Sequence, residues 1–170
     1  IFPMATAAEP RPTVTSSLAI PPLASNSELD LLVACCAVKP PTERIRAILF
    51  CTLDWEQFLH LADHHHVIPQ VYGALSAFLH LLPANASAAL RSRYRENAYK
   101  ALWFTGELLR TVSCLGSAGI KALAYKGPVL AQTLYGDVTE RQYSDLDILV
   151  RPQDVPRAKA ALLGLGHGCY

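Results

Sequence analysis

The feature that most constrains the fold is a pair of aspartates, two residues apart, at the start of an apolar run. Asp145 and Asp147 open the segment that continues through residues 148–150, and its alternating, branched residues predict a strand. Residues i and i+2 of a strand point to the same face. Two carboxylates about 5 Å apart repel by roughly 3 kcal/mol at an effective dielectric of about 20. A divalent cation such as Mg²⁺ removes that repulsion; two solvated aspartates at a strand end are the alternative.

The segment upstream of the aspartates predicts a strand, a tight turn and a short helix. Residues 120–125 follow Gly119 and are short and largely apolar, which predicts a buried strand. Gly127 allows a tight strand-to-helix turn, and Pro128 suits the first helical position because its missing N–H costs nothing there. Gly136 is placed to end the helix. The free N–H groups at the start of such a helix form a ready anion site.

Two basic residues flank this predicted anion site. Lys126 precedes the turn, and Arg141 lies four residues before Asp145. Phosphate binding beside a metal-binding aspartate pair is the arrangement that phosphoryl or nucleotidyl transfer requires. Each residue also has a simpler interpretation: Gly127 serves only the turn, Lys126 is a solvated lysine, and Arg141 is a surface arginine or a structural partner of Asp137 or Glu140.

The segment 126–150 resembles the DNA polymerase beta-like nucleotidyltransferase superfamily, whose hallmark is a Gly-Ser at a helix start followed by a Ser-Asp-x-Asp strand. The matching motifs are Lys126-Gly127-Pro128 and Ser144-Asp145-Leu146-Asp147. The chain is more closely similar to a bacterial subgroup known mainly as uncharacterised nucleotidyltransferases, which carries Lys-Gly in place of Gly-Ser. Fainter similarity reaches back through Asp54-Trp55, Leu61-Ala62, His65, Val67 and Pro69, so the resemblance spans roughly residues 28–170.

The resemblance implies an α+β fold, with an N-terminal helical bundle followed by the first half of a polymerase-beta-like α/β unit. It also implies that nucleoside monophosphate is transferred from a triphosphate to the hydroxyl of an unknown acceptor. In a complete relative, Asp145 and Asp147 would hold two Mg²⁺ ions as catalytic and metal-binding residues. The expected nucleotide-binding residues are Lys126, Gly127, Arg141 and Ser144.

Two departures from the superfamily pattern leave the activity open. The serine of Gly-Ser is absent, and nothing after Asp147 supplies the third carboxylate that the superfamily carries on a later strand. Asp154 precedes an apolar helix and is better interpreted as its N-terminal acid. The alternatives are therefore a catalytically silent NTP–Mg²⁺ binding module or a truncated, non-functional fragment. We expect the chain to stop as a further strand begins, which would leave an open sheet edge for self-association.

Composition and periodicity divide the chain into three parts. Residues 1–26 are rich in Pro, Ser, Thr and Ala, which predicts a disordered leader. Residues 27–118 show helical periodicity, with helices predicted over 27–38 and 42–51, after Asp54, and over 71–82 and 86–117. Residues 119–170 form the predicted partial nucleotidyltransferase core.

Charge, hydropathy and cysteine content indicate which binding partners and which cellular compartment to expect. Apolar residues make up 51% of the chain and charged residues 17%, which supports a buried core, while a net charge of +1 gives no strong signal for nucleic acid binding. No apolar run approaches the ~20 residues that span a membrane, and no signal peptide is indicated. Five cysteines without a Cys-x-x-Cys pair predict buried free thiols in a reducing compartment, so cytoplasm is the expected location.

Histidines and aromatic residues are interpreted as structural. Residues 64–66 are three consecutive histidines, and neighbours on a helix point about 100° apart, so they cannot share one ion. His65, which matches the bacterial subgroup, is the one expected to pack against the catalytic unit. The aromatic residues assigned to the core are Trp55, Phe58, Tyr94, Trp103 and Phe104.

Overall fold

A computed structural model describes residues 26–166 of the chain. These residues are mostly helical, 71%, and include a two-stranded antiparallel sheet, which confirms an α+β fold. The helices and strands are α1 (Ser27–Cys35), α2 (Thr42–Leu49), α3 (Trp55–His64), α4 (Ile68–Leu75), α5 (Ala84–Ser117), β1 (Ala122–Ala124), α6 (Gly127–Tyr135), β2 (Ile148–Val150) and α7 (Val155–Gly164). The 3₁₀ segments are Ser76–Leu81, Val138–Glu140 and Pro152–Asp154. The predicted leader lies outside the described residues except for Asn26.

Helices α1 to α4 and the first half of α5 enclose the larger of two apolar clusters. Its centre is built from fully buried side chains, among them Phe58, Ile45 and Leu90. Asp54 caps α3 as predicted, since its carboxylate accepts a hydrogen bond from the Gln57 N–H at 3.0 Å. The predicted bounds of two helices were wrong. Helix α1 is capped by the preceding asparagine and ends three residues early, and the segment predicted as 71–82 is α4 followed by a 3₁₀ turn.

The long apolar periodicity correctly predicted helix α5, which packs both on the helices before it and on the elements after it. Its N-terminal half packs on α3 and α4, and its C-terminal half packs on β1, α6 and α7. Trp103 was predicted to be in the core, but its side chain is 61% exposed. It lies two residues after the buried Ala101, which places it about 200° away around the helix. None of the helices within residues 26–166 is long and apolar enough to cross a membrane.

The sheet is small and covered on one face. Strands β1 and β2 pair so that Leu123 faces Leu149 across the ladder. Ile148 and Val150 turn to the other face, where they pack on a second apolar cluster around Leu115 of α5. Leu123 and Leu149 remain 62% and 55% exposed. The prediction of a fully buried strand over 120–125 was therefore wrong, because no element among the described residues covers the outer face.

The cysteines are less buried than predicted. Cys35 lies in the main core, and burial raises the pKa of its thiol to about 12. Cys36 and Cys51 are exposed and Cys114 is half-buried, because the first two lie just after the ends of α1 and α2 rather than on their apolar faces. All four thiols are free. The fifth cysteine lies outside the described residues.

Candidate active site

All six predicted site residues line one cavity of about 230 Å³. They come from two short stretches of chain, the turn into α6 and the segment between α6 and β2. The six residues are Lys126, Gly127, Arg141, Ser144, Asp145 and Asp147. The structure thus brings together every residue that the two motifs indicated, and the chemical roles assigned to them stay predictions.

The two aspartates precede the strand rather than lie within it, which corrects the prediction that they open it. Strand β2 begins at Ile148 because its partner β1 ends at Ala124, where the chain turns towards α6. One further hydrogen bond, from the Tyr125 N–H to the Asp147 carbonyl oxygen at 3.2 Å, extends the pairing to the second aspartate. Asp147 is half-buried and Asp145 is exposed, so both carboxylates are accessible from the cavity.

Gly127 lies where the two stretches approach each other. It is the first residue of α6, and its φ of +54° lies in the left-handed region that side chains disfavour. A Cβ atom there would lie 3.4 Å from the backbone oxygen of Asp145. The glycine therefore serves both the turn and the close approach of the helix start to the aspartate segment. The N–H groups of the first turn of α6 have no partner within the helix.

Lys126 pairs with the second of the two aspartates. Its Nζ is 3.3 Å from Oδ2 of Asp147 and 5.2 Å from the ring centre of Tyr125. The hydrogen bond to Asp147, together with Tyr125, raises the pKa of the lysine above its usual range. The lysine therefore carries its positive charge throughout the neutral pH range, beside the Asp147 carboxylate.

The interpretation of Arg141 as a structural partner of Asp137 or Glu140 was wrong. Asp137 is hydrogen-bonded by the N–H and the hydroxyl of Thr139, each at 2.8 Å, and Glu140 accepts from the Tyr94 hydroxyl at 3.1 Å. Within the described part of the chain, Arg141 forms no ion pair. Its guanidinium lines the cavity instead, where it adds a second positive charge.

Hydrogen bonds from α4 and α5 hold the segment that leads to the aspartates. Sequence reasoning missed these contacts because single amide and hydroxyl groups on unrelated helices form no recognisable motif. They join Ile68 N–H to Gln142 Oε1 (2.8 Å), Gln70 Nε2 to the Glu140 oxygen (2.7 Å), Asn97 Nδ2 to the Thr139 oxygen (2.7 Å) and the Tyr143 hydroxyl to the Ala101 and Val138 oxygens (3.2 Å each). The helical region therefore holds in place the segment that lines the cavity.

His66, rather than the predicted His65, reaches the cavity. His66 has a φ of 56°, the only positive φ of a non-glycine residue in the range 26–166. The hydrogen bonds from His66 N–H to the Asp63 oxygen and from Val67 N–H to the Ala62 oxygen, both 3.0 Å, close α3 with a Schellman motif. Glycine is the usual residue at this position, so the imidazole is held beside the aspartates at a conformational cost.

The carboxylates present suit Mg²⁺ bound together with a nucleotide. Within residues 26–166 no group of three or more His, Cys, Asp or Glu side chains could hold a metal by itself. Mg²⁺ is commonly held by one or two carboxylates together with substrate phosphates, and Asp145 and Asp147 supply two such ligands. Asp154 adds none, because it pairs with Arg157 at 3.2 Å at the start of α7 and lies outside the cavity lining.

Comparison with known protein families agrees with this geometry. The sequence model of a family described as uncharacterised nucleotidyltransferase matches residues 52–170. The chain belongs to this family. The nucleotidyltransferase match takes in α3, α4 and α5 as well as the cavity, so the helices that hold the aspartate segment lie within the family region. A search of curated proteins and a search of solved structures each returned no match.

Proposed function

We propose that this chain binds a nucleoside triphosphate together with Mg²⁺ in the cavity at the start of α6. The observation that carries the proposal is the convergence of two aspartates, a lysine, an arginine and a glycine-led helix start on one cavity. Membership of a nucleotidyltransferase family supports nucleotide chemistry at this site. On this proposal, the β1–α6–β2 unit is the first part of a polymerase-beta-like α/β unit that follows a helical bundle.

The phosphates would be bound by the end of the cavity at the start of α6. Backbone N–H groups at a helix N-terminus and the helix dipole both favour anions. Lys126 and Arg141 add charge-assisted hydrogen bonds of the kind that phosphate oxygens accept. Ser144 supplies a hydroxyl donor between this end and the aspartates. The glycine at position 127 leaves room for phosphate oxygens to approach the backbone.

Asp145 and Asp147 would hold the metal ions that accompany the triphosphate. Bound Mg²⁺ neutralises phosphate charge and lowers the pKa of an attacking hydroxyl. Asp147, which pairs with Lys126 at 3.3 Å, would hold metal in place of that pairing, and Lys126 would then be free to bind the phosphates. In the transfer reaction, the acceptor hydroxyl would lose its proton to water as its oxygen forms a bond to the α-phosphorus. The bond from that phosphorus to the β-phosphate oxygen breaks, and pyrophosphate leaves.

A silent NTP–Mg²⁺ binding module is the second candidate function. It is favoured by the absence, within residues 26–166, of a third carboxylate on the cavity. The resemblance assigns that third acid to the metal ion of the nucleophile. Losing a ligand or its supporting partner commonly costs 10–100-fold in metal affinity or activity. We therefore expect this chain to bind the nucleotide and to transfer it poorly or not at all.

A pyrophosphate-release assay separates transfer from silent binding. Purified chain is incubated with Mg²⁺ and each of ATP, GTP, CTP and UTP, with Asp145→Asn as the background control. We expect release at the level of the control. Robust release that disappears in Asp145→Asn would show transfer by this chain and would mean that another carboxylate completes the site.

A further inference from the structure

A second, larger cavity opens directly beside the proposed phosphate site. Its volume is about 690 Å³, and it lies between α5, the end of α3 and the segment before the aspartates. The two cavities share four lining residues: His66, Gln142, Tyr143 and Ser144. A volume of this size is in the range of small-molecule sites, and the shared residues make the two cavities parts of one continuous surface.

The larger cavity carries no net charge. Its basic residues are matched by acidic ones at close range: Lys100 Nζ lies 2.6 Å from Glu96 Oε1, and Arg93 pairs with Asp63. Arg93 also donates to the Leu59 carbonyl oxygen at 2.8 Å, so its guanidinium is engaged on α3. The smaller cavity has the same formal balance, two aspartates against Lys126 and Arg141, but among residues 26–166 neither Arg141 nor Asp145 forms an ion pair. The larger cavity therefore suits a neutral ligand group, and the smaller one suits an anion with its metal.

The lining of the larger cavity offers an aromatic surface and free amide groups. Trp103, which is 61% exposed, lines this cavity, with Phe104 edge-on to it at 4.9 Å between ring centres. Asn97 is only 7% exposed. Its Nδ2 donates to Thr139, while its Oδ1 has no partner among residues 26–166. Gln142 likewise uses only Oε1 within the described chain. A buried amide acceptor without a partner costs free energy unless a ligand or water satisfies it.

We propose that the larger cavity is the nucleoside subsite of the nucleotide site. The base stacks on the indole of Trp103, and its polar edge meets the free amide groups of Asn97 and Gln142. Aromatic stacking combined with hydrogen bonds to the base edge is the general way in which proteins hold an unstacked base. This inference rests on the proposed function and deepens it, because it assigns the neutral half of the same substrate.

The division of charge favours the nucleoside over an acceptor molecule as the occupant. A nucleoside triphosphate has a charged end that needs cations and metal, and a neutral, flat end that needs stacking and hydrogen bonds. Of the two adjoining cavities, the smaller contains the unpaired charges and the larger contains the aromatic surface with its charges paired, and Ser144 and Tyr143 lie at the junction. An acceptor of unknown chemistry carries no such requirement for a neutral, aromatic site next to the phosphates.

The test uses the fluorescence of Trp103 to detect binding at the larger cavity. The chain has two tryptophans, and Trp55→Phe leaves Trp103 as the sole one. The Trp55→Phe protein is titrated with the Mg²⁺ complexes of ATP, GTP, CTP and UTP, and separately with Mg²⁺–tripolyphosphate, while fluorescence and melting temperature are both recorded. We expect at least one nucleotide to change the fluorescence saturably and to raise the melting temperature. Tripolyphosphate should raise the melting temperature without changing the fluorescence.

A matched pair of variants tests the stacking directly. Trp103→Ala should weaken nucleotide binding by about tenfold, as the loss of one base–aromatic stack does, and should leave tripolyphosphate binding unchanged. Leu102→Ala, at the neighbouring exposed position, should change neither.

Three outcomes would overturn the inference. The first is equal fluorescence responses to nucleotide and tripolyphosphate. The second is unchanged nucleotide affinity in Trp103→Ala, which would give the cavity to another occupant such as the acceptor. The third is that neither the nucleotides nor tripolyphosphate raises the melting temperature. Because tripolyphosphate would then fail as well, this outcome would refute the proposed function itself.

Discussion

Gly127 is a single residue on which the turn and the cavity both depend. Its φ of +54° disfavours any side chain by about 1–2 kcal/mol, and a Cβ atom would lie 3.4 Å from the Asp145 oxygen. Gly127→Ala is expected to lower the melting temperature by about 2–8 °C and to weaken nucleotide binding, because a side chain at this φ strains the start of α6 and crowds the approach to its backbone N–H groups. Gly116→Ala is the control, since a Cβ atom there meets nothing within 4 Å. Equal effects of the two changes on stability would contradict this account.

His66 adopts a left-handed backbone conformation that is unfavourable for a residue with a side chain and favourable for glycine. It occupies the left-handed position of the Schellman motif that ends α3, with a φ of 56°. His66→Gly is therefore expected to stabilise the protein by about 1 kcal/mol, which would raise the melting temperature by about 2–4 °C. His65→Gly, at a φ of −87°, should bring no gain. Thermal unfolding of both variants checks this, and a loss of stability in His66→Gly would contradict it.

At the scale of elements, the helices act on the site through the segment between α6 and β2. The Tyr143 hydroxyl donates to oxygens on α5 and within that segment, while its ring packs edge-on against Phe104 at 5.8 Å. Tyr143→Phe keeps the ring and removes the hydroxyl, so a cost of about 1 kcal/mol and a melting temperature lower by about 2–4 °C are expected. Tyr99→Phe on exposed α5 surface should change nothing. A Tyr143→Phe protein as stable as the parent would show that the segment is held by other contacts.

The sequence predicted the local motifs well and their surroundings less well. The α6 turn, its stop at Gly136 and the convergence of the two motifs followed from glycine, proline and spacing, which are local signals. The placement of Asn97 and Gln142 did not follow, because their hydrogen bonds join helices that are distant in sequence. Trp103 was misplaced because it was assigned to the core as an aromatic residue, whereas it lies about 200° around α5 from the buried Ala101.

At the scale of the whole molecule, the outer face of the sheet is apolar surface that no element within residues 26–166 covers. Leu123 and Leu149 face each other across the ladder and are more than half exposed, and contiguous exposed apolar surface commonly marks a site of association with another chain. We expect reversible self-association, measured by sedimentation at rising protein concentration. Leu149→Lys should abolish it, while Leu163→Lys on α7, which is 49% exposed, should not. Association that survives Leu149→Lys would assign it to another surface.

The central claim is that Asp145 and Asp147 form one metal-dependent nucleotide site, and its most direct test is the melting temperature under titration with Mg²⁺ and nucleoside triphosphate. A ligand that binds only the folded state stabilises it by about 2.7 kcal/mol at 100 times its dissociation constant, which predicts a rise of about 5–10 °C. The double variant Asp145→Asn, Asp147→Asn should show no rise, and Asp30→Asn on the α1 surface should keep it. A rise in the double variant equal to that of the parent would contradict the claim.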